Sequence, residues 1–273
     1  MPAHPTPTPA RPGLVSVAVA LIALCAPLLV TSTAFSAGPG PRGNPRAFAF
    51  ISRTGGDAPV ARWNPCRRIG YRVNARQGGP GALADAKKAV ARIADRSGLR
   101  FAYRGRSRVI PGGRRDRYPR DTDLVIAWAR PRQSRHLRGT GAAGMGGPSW
   151  TSARDERNRP AAMITRGFAV LNARLPLEGG FRRGPRYGYQ GTRGQLLMHE
   201  IGHAVGLGHP RQDDRWQIMY GAMTRKRAVW GAGDLRGLRR VGASRGCLRR
   251  ASLRHARMSA QTGTTGTRSA HLR

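Results

Sequence analysis

The stretch His199-Glu200-Ile201-Gly202-His203-Ala204-Val205-Gly206-Leu207-Gly208-His209 holds three of the chain's seven histidines. On a helix, His199 and His203 stand one turn apart on the same face. Both imidazoles can then reach one metal ion, at the about 2.0–2.1 Å of a zinc–nitrogen bond. Gly206 lets the backbone leave helical geometry without a Cβ penalty, and the chain can turn to bring His209 to the same ion. Three protein ligands leave a fourth position open to water, the arrangement of a catalytic and not of a closed structural zinc. Glu200, directly after the first ligand, points to one side of the metal. There a carboxylate can take a proton from a water that the metal acidifies and deliver it to a leaving amine. Two His and a Glu within five residues recur by chance, whereas the extended spacing His-Glu-x-x-His-x-x-Gly-x-x-His is far more specific. The competing reading, an ordinary buried helix with incidental histidines, needs every one of these positions filled by accident.

A second feature follows in Gln217-Ile218-Met219-Tyr220. A Met in a loop is by itself core filler. Its place ten residues after the third His makes the stretch resemble the Met-turn, which in metzincins lies beneath the zinc site as an apolar floor.

These residues need a frame. Thr192 to Leu207 is predicted helical, carrying the motif. Residues 81–98 read as an amphipathic helix with Leu83, Ala86, Val90 and Ile93 on one face and Gly98 as the stop. Alternation in Arg68 to Asn74 predicts a strand, Leu99 to Tyr103 a second, and the unbroken apolar run Leu124 to Ala129 one buried on both faces. Phe168 to Asn172 is a further strand, and Gly141 to Gly147 a short irregular edge strand within a loop over 131–160; residues 104–120 form another loop. Asp234 can cap a last helix reaching about Val241, with Leu235, Leu238 and Val241 on one face.

Leu14 to Val30 is uncharged, Arg11 precedes it and the small residues Ala34 and Ser36 follow, the layout of a secretory signal ending near Ser36. The segment is marginal for a membrane span and Pro27 interrupts it, yet an uncleaved anchor is the alternative. Export makes the protein secreted. Residues 37–59 read as a flexible linker, 60–248 as the folded domain and 249–273 as a disordered basic tail. With Cys25 inside the signal, Cys66 and Cys247 are left, and an oxidising compartment favours a disulfide between them. Two free thiols, or Cys66 as a fourth zinc ligand, are the alternatives.

The net charge is +36, which becomes +35 once Arg11 is removed with the signal. Lysine occurs only at Lys87, Lys88 and Lys226, so arginine supplies nearly all of it. Such a charge draws nonspecific contact with polyanions or anionic surfaces. The arginines are scattered and no nucleic-acid-binding signature is present, so no specific nucleic-acid partner is expected.

With these motifs in place, the chain resembles the metzincin metallopeptidases and, within them, the matrixins, over roughly residues 60–247. The resemblance is carried by the opening WNPCRRIGYRVN, the amphipathic helix, LVIAWA, the zinc motif, the Met-turn and the ending GDLRGLRRVGASRGC. Met219 followed directly by Tyr220 is similar to matrixins; astacin-like and serralysin-like relatives place a Tyr where this chain has Gly221, so no tyrosine zinc ligand is expected.

The resemblance implies an α/β fold of the α+β metzincin kind. Its parts are a twisted, mostly parallel five-stranded sheet with one antiparallel edge strand, three helices, and a zinc cleft between a larger N-terminal and a smaller C-terminal subdomain. It implies hydrolysis of internal peptide bonds in a protein or peptide substrate by a monomer holding one catalytic Zn²⁺. The substrate would add as a strand along Gly141 to Gly147. The loop from Gly221 to Gly233 would shape the pocket just after the cleaved bond, where Tyr220, Arg225, Lys226 and Arg227 would favour acidic or polar side chains. Departures from the family narrow this. The chain has no matrixin-like cysteine switch, His136, His255 and His271 are too scattered for a second zinc site, and no calcium loop is visible. Two other functions fit the same residues. One is a cationic surface-binding protein that keeps zinc without turnover, which would have no need of Glu200. The other is a zinc amidase acting on cell-wall peptide.

Overall fold

A computed structural model describes residues 40–51, 59–188 and 190–251, and the backbone of 270–271. The signal segment and most of the tail lie outside the described residues. No helix among the described residues is long and apolar enough to cross a membrane.

The described residues from Gly40 onward form a mixed α/β unit with three α-helices. The strands are β1 (Ala49–Phe50), β2 (Ala61–Arg62), β3 (Ile69–Asn74), β4 (Phe101–Arg106), β5 (Leu124–Ala129), β6 (Gly144–Asp155), β7 (Pro160–Asn172), β8 (Leu207–Gly208), β9 (Leu248–Arg250) and β10 (Ala270–His271). The helices are α1 (Ala82–Ser97), α2 (Arg193–Ala204) and α3 (Ala232–Val241). The main sheet runs β10-β6-β7-β5-β3-β4, with β2 on β7 and β9 on β6. Pairings β3 with β4, β3 with β5 and β5 with β7 are parallel, while β6 joins β7 antiparallel.

This corrects the expected five-stranded sheet: β2, β9 and β10 enlarge it to a mixed sheet of eight strands among the described residues, in which β6 is no longer an edge. The short edge strand read at 141–147 is instead one arm of a long hairpin, paired from Gly144 opposite Leu171 to Arg154 opposite Pro160 with a one-residue register shift between Ser149 and Trp150. Its tight turn sets Asn158 at φ 60°, a left-handed conformation that Asn tolerates. The stretch 148–162 lacks clean alternation because its polar and apolar residues face different neighbours along a long ribbon, so it reads as a loop. Part of the expected linker is also structured: Ala47 is buried, and β1 pairs antiparallel with β8. The segment expected to be a disordered tail begins with β9 on β6.

Of the expected apolar faces, Ala86, Val90, Ile93, Leu238 and Val241 are buried, whereas Leu83 and Leu235 are half-buried. α1 buries Ala82, Ala86, Ala89, Val90 and Ile93 against the sheet and α2, and Gly98 closes it at φ 69° with its N–H on the Ala94 carbonyl. β5 is buried throughout, as an unbroken apolar run demands. An ion pair at 2.7 Å joins Arg193 at the start of α2 to Asp85 of α1, and the same guanidinium donates to the Gly78 and Pro80 carbonyls.

Cys66 and Cys247 form a disulfide with Cα atoms 5.5 Å apart, tying the start of the domain to its end. The Asn64 side chain bonds both the N–H and the carbonyl of Leu248, and Arg62 donates to the carbonyls of Arg245 and Gly246. These bonds hold the two segments together beside the bridge. Because the closed loop spans 181 residues, replacing both cysteines by Ser is expected to cost about 2–4 kcal/mol of unfolding free energy. A urea midpoint unchanged by the double substitution would contradict this, as would alkylation of both thiols without reduction.

Candidate metal centre

α2 begins at Thr192, whose hydroxyl accepts the Gln195 N–H, and is buried along its whole length. It ends at Ala204, one turn before the expected Leu207. Gly206 then takes φ 109°, and a Cβ there would lie 2.6 Å from the Ala61 carbonyl oxygen. Only Gly combines that backbone angle with that approach. Leu207 and Gly208 leave the helix as β8, held by Phe50 and Ala49 across the β1 pairing, and deliver His209. The N-terminal segment thus supports the third histidine.

The three imidazoles converge. The Nε2 atoms of His199 and His203 are 2.9 Å apart, those of His199 and His209 3.0 Å, and those of His203 and His209 3.2 Å. His199 Nδ1 lies 2.7 Å from the Ile218 carbonyl oxygen and His203 Nδ1 2.8 Å from that of Leu207. A carbonyl only accepts, so each Nδ1 carries the proton and donates. Burial, followed by the neighbouring histidines, holds both rings neutral: it pushes His199 down to about 3 and His203 well below its ordinary value. Two neutral rings with protons on Nδ1 face each other through bare Nε2 lone pairs, a repulsive contact at 2.9 Å. A cation between them resolves it, and the spacing approaches the about 3.3 Å nitrogen–nitrogen edge of a tetrahedral site with bonds of about 2.0–2.1 Å. His199, His203 and His209 therefore form a group that can hold a metal ion. The carbonyls of Ile218 and Leu207 orient two of the ligands from behind.

Glu200 is fully buried, and among the described residues neither carboxylate oxygen has a hydrogen-bond partner. Desolvation raises its pKa well above the ordinary carboxylate range. A buried, unpartnered carboxyl is costly. β6 crosses directly over it: a Cβ on Gly144 would lie 2.7 Å from Glu200 Oε1, and one on Gly146 would lie 2.0 Å from its backbone oxygen. Gly144 and Gly146 of β6 are thus a requirement of close contact with α2.

Met219 is buried against α2 at Gly202. Its Sδ would be 2.5 Å from a Cβ on Gly202, so the missing side chain in mid-helix is the seat for the sulfur. The turn is clamped by Asp234, whose carboxylate accepts N–H bonds from Ile218, Met219 and Gly231. Burial pushes Asp234 up to about 7 against the pull of those amides. Gln217 completes the clamp, accepting the Asp234 N–H and donating to Asp214. Asp234 was legible only as a helix cap; its larger role, fixing the turn whose Ile218 carbonyl orients His199, had no local signal. Asp234→Ala leaves three N–H groups without their acceptor, and we expect it to lower stability by about 2 kcal/mol or more. Equal chemical-denaturation midpoints for the variant and the parent would contradict that clamp.

Beside the centre opens a cavity of about 610 Å³ bounded by Gly141, Ala143, Tyr220, Arg183, Arg225 and Lys226, among others. Its Tyr220 wall continues to Gly221, where a Cβ would lie 3.6 Å from His209 Nδ1. Three of the residues expected to shape a pocket, Tyr220, Arg225 and Lys226, do line this cavity, whereas Arg227 is exposed and does not. Arg183 was not anticipated; it comes from the loop before α2, far away in sequence. No protein family model and no curated protein matches the chain, so the reading of this centre rests on its own residues and geometry.

Proposed function

We propose that the protein is a secreted zinc endopeptidase of the metzincin kind, acting as a monomer on protein or peptide chains. The observation that carries this reading is a group of three converging imidazoles, two of them held neutral by burial, next to a buried carboxyl with no hydrogen-bond partner among the described residues and roofed by β6. A group built only to hold a metal has no use for Glu200. Support for β6 as the strand that takes up extended chain comes from the chain itself, since Ala270–His271 adds antiparallel to β6 opposite Gly146 and Met145. A substrate in that position would gain main-chain hydrogen bonds along β6 and lie across Glu200. Export is supported by the apolar segment 14–30, and the Cys66–Cys247 bond agrees with an oxidising compartment.

Zinc, held by His199, His203 and His209, would supply Lewis acidity, lowering the pKa of a water towards about 7 and polarising the scissile carbonyl. The protein's own residues do the rest. Glu200 takes the proton of the attacking water and passes it to the nitrogen of the departing amine. The Ile218 and Leu207 carbonyls keep the His199 and His203 rings in the tautomer whose Nε2 faces the ion. β6 holds the substrate backbone extended, and Met219 fills the floor. The positive surface adds nonspecific attraction for acidic partners.

The test is digestion of a peptide library by the purified zinc-loaded protein, with fragments mapped by mass spectrometry. Cuts at internal bonds are expected. Fragments released only from chain ends, or cleavage confined to cell-wall peptide, would contradict the reading.

A further inference from the structure

The cavity beside the metal centre has a definite chemistry. Arg183, Arg215, Arg225 and Lys226 all line it, and no Asp or Glu does among the described residues. Two of these cations are engaged elsewhere. Arg215 lies 4.0 Å from Asp213 and near the face of Tyr220. Lys226 sits 3.6 Å above the Trp216 ring, close enough to Asp214 to feel its charge. Arg225 differs: its Nε is buried and has no hydrogen-bond acceptor. A guanidinium N–H shielded from water and unmatched inside the protein is a penalty that an incoming acceptor removes.

Strand direction says which part of a substrate reaches this place. β6 runs from Gly144 away from the cavity, and the carboxyl of Glu200 lies under Gly144. A chain antiparallel to β6, as β10 is, therefore passes over Glu200 and carries its later residues towards Ala143 and Gly141, which border the cavity. Resting on the endopeptidase reading, we infer that this cavity receives the acidic side chain, Asp or Glu, of the substrate residue just after the cleaved bond, and that Arg225 is the residue that pairs with it. Arg183, exposed on the cavity wall, adds charge at the mouth. The selected substrates are then acidic chains, which the positive surface also gathers.

The experiment uses peptides matched except for Glu, Gln or Lys after the scissile bond. They are cleaved by the zinc-loaded parent and by its Arg225→Gln, Arg225→Glu and Arg183→Gln variants. Binding of the Glu and Gln peptides to Glu200→Ala protein is measured in parallel by calorimetry. The parent is expected to favour Glu over Gln at least about tenfold in kcat/KM, the scale of one hydrogen bond to a charged group. Arg225→Gln should remove most of that preference, Arg225→Glu should turn it towards Lys, and Arg183→Gln should reduce it. The Arg183 variant keeps the test open if Arg225 is needed for folding. Internal cleavage without a Glu preference, or a preference that survives both Arg225 substitutions, overturns the inference and leaves the peptidase reading standing. No cleavage of any peptide, with Glu-selective binding intact, overturns the peptidase reading and leaves the acid-binding cavity. Neither cleavage nor selective binding overturns both.

Discussion

The Glu200→Ala protein is expected to bind close to one equivalent of zinc and to lose at least about a hundredfold in kcat, the usual scale for removing a general base. The geometry separates the two properties. Zinc would be held by three Nε2 atoms that lie about 3 Å from one another, two of them oriented by main-chain carbonyls of Ile218 and Leu207. None of these contacts involves the Glu200 side chain, which has no hydrogen-bond partner among the described residues. Truncating it strips no partner from any other group. The loss should fall on kcat more than on KM, because proton transfer occurs only on the way to the transition state. Metal content by atomic absorption and steady-state kinetics on one peptide check it together. Substantial turnover by the zinc-loaded variant would sink the proposed role of Glu200.

His203→Ala should behave differently, losing the metal along with at least about a thousandfold in activity. Removal of a ligand leaves two imidazoles, and the surviving pair has no third nitrogen to close the site. Disturbing only the residues behind a ligand already costs about 10–100-fold, and removing the ligand itself costs more. The substitution also vacates the bond to the Leu207 carbonyl, at the exit of α2 where β8 leads to His209. After dialysis against a weak chelator, the variant is expected to retain well under half an equivalent of zinc. Near-stoichiometric zinc in this variant would mean that His203 is not a ligand. Read side by side, the two substitutions distinguish a residue that holds the ion from one that works beside it.

Why one part of the site was legible and another was not follows from how far each constraint reaches along the chain. His199, Glu200, His203, Gly206 and His209 act through helix periodicity and one turn, so their spacing carries the whole message. The Cys66–Cys247 bond was readable because compartment and number left few other pairings. Gly144 and Gly146 look like loop composition in the sequence; their real cause is contact with α2, some fifty residues on. Asp234 likewise serves a turn sixteen residues before it, and residues 40–51 serve β8 from the far end of the chain. The long β6–β7 hairpin was missed because both of its arms change neighbours along their length, which breaks the alternation that strand recognition needs. Arg227 was expected at the cavity by proximity to Arg225 and Lys226, but the backbone turns it to solvent.

The most direct measurement of the central claim is a zinc titration of activity. The protein is stripped with a chelator, exchanged into metal-free buffer, and assayed on an internally cleaved peptide as zinc is returned in fractions of an equivalent. No cleavage is expected without metal, followed by a linear recovery that levels off at one zinc per chain. Full activity in the stripped protein, or recovery that ignores added zinc, would contradict it.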